Sequence, residues 1–124
     1  MKAVLLDAFG GPERLTLREV PTPRPLANEV LIRVVAAGVN FGDTIVRAGT
    51  AGVPIDLPWI PGSEVAGVIE QTGESAQNFA VGERVIAPLF LTGRLGGGYA
   101  EYVVVDVQAR LDQGRLLELG EIDH

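Results

Sequence analysis

VLIRVVAAGV, residues 30–39, decides how this chain folds: five of its ten residues, Val30, Ile32, Val34, Val35 and Val39, are β-branched. Such side chains lose rotamer freedom against a helical turn and pack well on a pleated surface, so the stretch predicts a strand. The same apolar, β-rich composition recurs on either side of it. Strands are predicted at Lys2–Phe9, Leu15–Val20, Val30–Val39, Glu64–Gln71, Arg84–Ala87 and Tyr99–Val105, each bounded by turn formers.

Sixteen glycines and eight prolines punctuate these segments. Gly10-Gly11-Pro12 can turn the chain between the first two strands. Pro21, Pro23 and Pro25 fix φ and remove amide donors, which makes 21–25 an extended connector and not a central strand. Pro61-Gly62 suits the middle of a type II turn, with glycine at the positive φ, and Gly96-Gly97-Gly98 reads as a flexible turn before Tyr99. A short helix is predicted at Asp43–Arg47 with Asp43 as its N-cap. The tail 107–124 differs: Leu111, Leu116, Leu117, Leu119 and Ile122 give it a loose helical periodicity, weakened by Gly114 and Gly120.

A chain of 124 residues, 47% of them hydrophobic, suffices for one core and one domain. Sixteen acidic against ten basic residues give a formal charge of −6, which repels phosphate backbones and anionic lipid. Neither nucleic acid nor a membrane is an expected partner. The absence of cysteine excludes disulfides, thiolate metal ligands and a catalytic thiol, and the single histidine is His124. No metal is expected. Asp7 interrupts the first apolar run too early for a signal-peptide core, and no later run has the length of a membrane span, so cytoplasmic localisation is expected.

Five ordered segments carry a resemblance: MKAVLLDAFGGPERLTLREVPTPRP (1–25), AAGVNFGDTIVRAG (36–49), PGSEVAGVIEQTG (61–73), FAVGERVIA (79–87) and GGYAEYVVV (97–105). Together they resemble the N-terminal, alcohol dehydrogenase-like domain of the medium-chain dehydrogenase/reductase superfamily, in its zinc-independent, zeta-crystallin-like quinone oxidoreductase branch. The resemblance implies a mainly β fold over residues 1–106, a GroES-like, partly open β-barrel with few short helices, and leaves 107–124 as an atypical tail. Zinc-dependent members of the superfamily carry a cysteine and a histidine where this chain has Asn40 and Ser63, an amide and a hydroxyl that make no good zinc set. The zinc-free branch moves hydride from NADPH to an electron-poor carbon of a quinone or α,β-unsaturated carbonyl, with the protein supplying orientation and polar contacts.

On that resemblance Asn40 reaches the nicotinamide ribose or the substrate carbonyl, against a turn-capping role that asparagine also fills. Asp43 lies beside the cofactor and substrate cleft, or caps the helix, or does both. Phe41 and Ser63 complete the cofactor contacts, Ile45 and Arg47 face the substrate, and Glu64 holds local backbone or an arginine such as Arg84. Ile45 stands where some quinone reductases carry a tyrosine. The chain shows no strand, G-x-G-x-x-G turn and helix of a Rossmann half, so none of the cofactor is expected to bind tightly to it alone. Three readings follow: the substrate side of a reductase, inactive alone; a stand-alone β-barrel binding module; or one subunit of a split enzyme completed by a Rossmann-bearing partner. Each leaves an interdomain face that the tail or self-association would cover.

Overall fold

Seven strands and one α-helix form around a single β core in the computed structural model, which describes residues 1–92, 95–107 and 117–118. β1 (Lys2–Leu6) pairs antiparallel with β2 (Leu15–Glu19) as a separate hairpin. The main sheet contains β3 (Glu29–Ala37), β4 (Glu64–Thr72), β5 (Arg84–Pro88), β6 (Tyr102–Asp106) and β7 (Leu117–Glu118), in the order β6-β3-β4-β5-β7. α1 (Phe41–Ala48) fills the connection between β3 and β4. The result is the mainly β, partly open architecture that the sequence predicts.

The core follows from strand alternation. Val65, Gly67 and Ile69 of β4 and Val85 and Ala87 of β5 point inward at every second residue. They meet Val30 and Ile32 of β3 and Val103 and Val105 of β6. Each buried valine or isoleucine stabilises the fold by roughly 1.5–3 kcal/mol. Gly67 lets the central strands close up, because a Cβ there would sit 2.2 Å from the carbonyl oxygen of Arg33.

The hairpin is joined to the sheet by the segment before β6. Val4 N–H donates to the Tyr99 carbonyl at 2.9 Å and Glu101 N–H to the Lys2 carbonyl at 3.1 Å, while Val34 N–H of β3 donates to the Glu101 carbonyl at 2.8 Å. Residues 99–101 thus bridge β1 and β3, and the strand proper begins at Tyr102, three residues later than the apolar run suggests. β1 likewise ends at Leu6 instead of Phe9, since Asp7 turns to pair with Arg18 and the chain bends through Gly10 at φ +156°. β3 ends at Ala37 instead of Val39, for a reason that belongs to the site. The proline connector 21–25 is irregular, as its missing donors require.

Of the tail 107–124, only Val107 and Leu117–Glu118 lie among the described residues, and the latter form β7 against Val85 and Ile86. The rest of the expected helical tail lies outside them. Among the described residues no helix is long and apolar enough to cross a membrane.

Ile69 is fully buried at the middle of β4. Ile69→Ala leaves a cavity at the sheet centre and is expected to cost about 2–5 kcal/mol. Urea denaturation should show a lower midpoint with an unchanged slope; a midpoint equal to wild type would contradict this placement of the core.

Candidate cofactor and substrate site

The site begins with a glycine. At Gly38 a Cβ would lie 2.2 Å from Oε1 of Glu64, so glycine leaves room for the Glu64 side chain to lie over the end of β3. Gly38 N–H donates to the Glu64 carbonyl at 3.1 Å, which ends β3 and sets Asn40 beside Ser63 and Glu64. The chain then turns into α1 with Asn40 as N-cap (φ −115°, ψ 152°) and Asp43 at the third helical position. The Asp43 carboxylate accepts a hydrogen bond from Asn40 N–H at 3.1 Å, the signature of a capping box. The helix therefore starts two residues before the sequence prediction, because Asn40, not Asp43, is its cap. Gly49 closes it at φ 81°.

Two polar links extend from this turn. Asn40 Nδ2 donates to Ser63 Oγ at 3.1 Å and to Glu64 Oε1 at 3.4 Å. On the other side, the Tyr99 hydroxyl donates to Asp43 Oδ2 at 2.8 Å. One carboxylate oxygen thus receives both the backbone of Asn40 and the phenol of Tyr99. Burial pushes the Tyr99 phenol well above the ordinary tyrosine range, and the hydrogen bond to Asp43 and its negative charge push the same way. Glu64 serves Asn40, not Arg84: it stands opposite Pro88, whereas Arg84 stands opposite Val68, at the far end of β5.

Tyr99 is the member that the sequence marks only as the residue after a glycine turn. A tyrosine placed directly after three glycines is the available signal, because a half-buried hydroxyl requires a partner that phenylalanine would not. The three glycines are not a flexible turn. Gly97 N–H donates to Ile60 at 2.7 Å, Gly98 N–H to Gly62 at 3.1 Å and Tyr99 N–H to Pro61 at 2.9 Å, which stitches the two segments together. Gly62 does adopt the expected positive φ, +100°, but in order to let Tyr99 approach: a Cβ there would lie 2.8 Å from the Tyr99 nitrogen.

The remaining candidates divide. Phe41 is 79% exposed and Val39 81%, so Asn40 emerges between two apolar side chains that nothing in the described structure covers. Ile45 is half-buried on α1. Arg47 turns toward the first hairpin, its Nε donating to the Gly10 carbonyl at 3.1 Å while Gly10 N–H donates back to the Arg47 carbonyl at 2.9 Å. A cavity of about 510 Å³ lies beside Trp59, Ile60 and Gly96, and none of Asn40, Asp43 or Ser63 lines it. The polar cluster is an open wall, not an enclosed pocket.

The donor set suits one group and not another. Asn40 and Ser63 are bonded to each other and offer no thiolate or imidazole, so they do not fit a zinc ion. An exposed amide oxygen beside a hydroxyl fits the carboxamide and ribose hydroxyls of a nicotinamide nucleotide.

A mainly β domain of this topology, with a capped turn between β3 and β4 presenting polar groups on an open face, defines a GroES-like domain. The profile of the alcohol dehydrogenase GroES-like domain family matches residues 26–112, and the chain belongs to that family, within the medium-chain dehydrogenase/reductase superfamily. Human quinone oxidoreductase is 47% identical over 105 residues, 84% of this chain and 31% of that protein. The crystal structure of the human synaptic vesicle membrane protein VAT-1 homolog-like protein superimposes with a TM-score of 0.86 at 32% identity, covering 100% of this chain and 37% of that one. The structure of Escherichia coli quinone oxidoreductase complexed with NADPH superimposes with a TM-score of 0.84 at 26% identity, covering 100% of this chain and 35% of that one. The chain spans about a third of the length of the relatives it matches.

The chain has two tyrosines. In Tyr102→Phe, Tyr99 alone titrates, and its ultraviolet ionisation is expected well above the ordinary value of 10.0. Asp43→Asn should bring it down. The folded state holds this proton more tightly, so the associated stability is fully present below the unfolded tyrosine pKa. It is lost as pH rises from there through the folded value. A Tyr99 that titrates at the ordinary value would break the assigned Asp43 contact.

Proposed function

We propose that this chain is the substrate-side domain of an NADPH-dependent, zinc-independent oxidoreductase that reduces quinones or α,β-unsaturated carbonyls. The observation that carries the reading is the open cluster of Asn40, Ser63, Asp43 and Tyr99 at the β3–α1 turn, flanked by the uncovered Val39 and Phe41. Polar groups for orientation inside an apolar rim are what one wall of a two-walled hydride-transfer cleft requires.

When bound, NADPH supplies a hydride, one proton with two electrons, to the electron-poor carbon of the acceptor. The conjugated carbonyl oxygen gathers the negative charge until a proton from water completes the product. The chain's own part is positional. Asn40 and Ser63 meet the nicotinamide end and the acceptor, and Phe41 packs on the same face. Asp43 acts from behind, holding the Asn40 backbone while itself held by Tyr99. Ile45 and Arg47 stand further along α1, on the acceptor side, with Arg47 also fastening the helix to the hairpin.

Most of the affinity for a dinucleotide comes from its pyrophosphate, which a helix N-terminus of a Rossmann fold binds. The 124 residues alone are therefore expected to oxidise NADPH at no measurable rate with a quinone or an enone. Fusion to the nucleotide-binding remainder of a quinone oxidoreductase relative should give turnover. Appreciable turnover by the chain alone, or a folded fusion that binds NADPH yet reduces neither acceptor, would refute the proposal. Dialysed protein should carry far less than one zinc per chain by elemental analysis; stoichiometric zinc would refute the zinc-free reading.

A further inference from the structure

The two hydrogens of the Asn40 amide are both used inside the protein. One goes to Ser63 Oγ at 3.1 Å and the other to Glu64 Oε1 at 3.4 Å. Glu64 settles which way the amide faces, because a carboxylate oxygen accepts and does not donate. Turning the amide over would set its carbonyl oxygen against that carboxylate. Asn40 is left with one acceptor, Oδ1, which takes the Asp43 N–H in the capping box with one lone pair and keeps the second to offer outward.

The consequence falls on Ser63. A hydroxyl has one hydrogen and two lone pairs, and here one lone pair is occupied by Asn40. Its own hydrogen has no acceptor in the described structure, and the residue is half-buried at the start of β4, beside the exposed Asn40. Donation from Asn40 also polarises the hydroxyl, which strengthens the bond it can give in turn.

We propose that Ser63 is the catalytic donor to the acceptor's carbonyl oxygen, that Glu64 and Asn40 are its positioning residues, and that Asn40 meets the ligand as an acceptor. The assignment rests on the reading of function given above and deepens it, since resemblance alone would give the donor role to Asn40. No proton leaves Ser63: its O–H bond remains intact while negative charge grows on the acceptor oxygen, and water supplies the proton that completes the product.

The full chain tests the polarity without any activity. In ¹⁵N-labelled protein the Asn40 side-chain amide protons should exchange with water about tenfold more slowly than those of a free asparagine, a factor typical of one net hydrogen bond. Glu64→Ala should remove most of that protection while the backbone spectrum stays folded. Amide protons that exchange as freely in wild type as in the variant would overturn the polarity and with it the proposal.

The fused enzyme then tests the donor, with cyclohex-2-enone as acceptor. Ser63→Ala should lower kcat on the order of 10²-fold with KM little changed, as loss of a donor to developing charge does. Ser63→Thr, which keeps the hydroxyl, should restore most of it. If Ser63→Ala turned over like wild type while Asn40→Ala did not, the donor would be Asn40 and the proposal would fall, with the reading of function intact. An inactive wild-type fusion would instead sink the reading of function and the donor assignment with it, while the exchange result would still stand on its own.

Discussion

β3 and β4 run antiparallel through the centre of the sheet, and where they end Gly38 faces Glu64, whose side chain lies in the space a Cβ at position 38 would take. Almost every polar feature of the domain derives from that contact. It ends β3, brings Asn40 alongside Ser63 and Glu64, and fixes where α1 can begin. The cap on α1 is itself worth only about 1 kcal/mol. The fixed turn, however, carries three interactions that the sheet alone would not assemble, to Ser63, to Glu64 and through Asp43 to Tyr99. Local backbone geometry and the placement of chemical groups are here one problem with one solution.

The strands were legible because their signal is local. β-branched runs between glycines and prolines mark β1 to β6 within a few residues, and the disagreements fall at strand ends, where tertiary contacts decide. Val39 looks like strand, but the ladder ends with the bond from Gly38 to Glu64, one residue before it. Tyr99 looks like strand, yet 99–101 bridges two sheets. The candidate site was legible only in part. Asn40 and Ser63 stand at positions that a motif marks, but their mutual bond spans 23 residues of sequence and has no local trace. Tyr99 was hidden more deeply, since its partner lies 56 residues away and the sequence shows it only as the start of a strand after a glycine turn. The triple glycine misled because glycine serves freedom and close approach equally well; burial against Ile60 and Gly62 shows that it serves the second here.

Electrostatics adds a point that the acidic composition obscures. Asp43 and Glu64, two carboxylates near the proposed cleft, are each engaged by donors of the protein: Asn40 N–H and the Tyr99 phenol on one, the Asn40 amide on the other. These bonds orient the two carboxylates without cancelling their charge, and beside them the open face presents a hydroxyl and an amide oxygen between Val39 and Phe41. Repulsion by the net charge of −6 is long-ranged and screened within about 10 Å at ordinary salt, so it bears on encounter and not on contact.

The bond from Lys2 N–H to the Glu101 side chain joins residues 99 apart in a chain of 124. During synthesis the β1–β2 hairpin emerges before the main sheet and can pair locally, but its partners at 99–101 leave the ribosome only after β3, α1, β4 and β5 have done so. The β-barrel therefore cannot close progressively from its beginning. Until then the apolar face of β1 must wait uncovered, and that interval is when a growing chain of this topology most needs protection from aggregation.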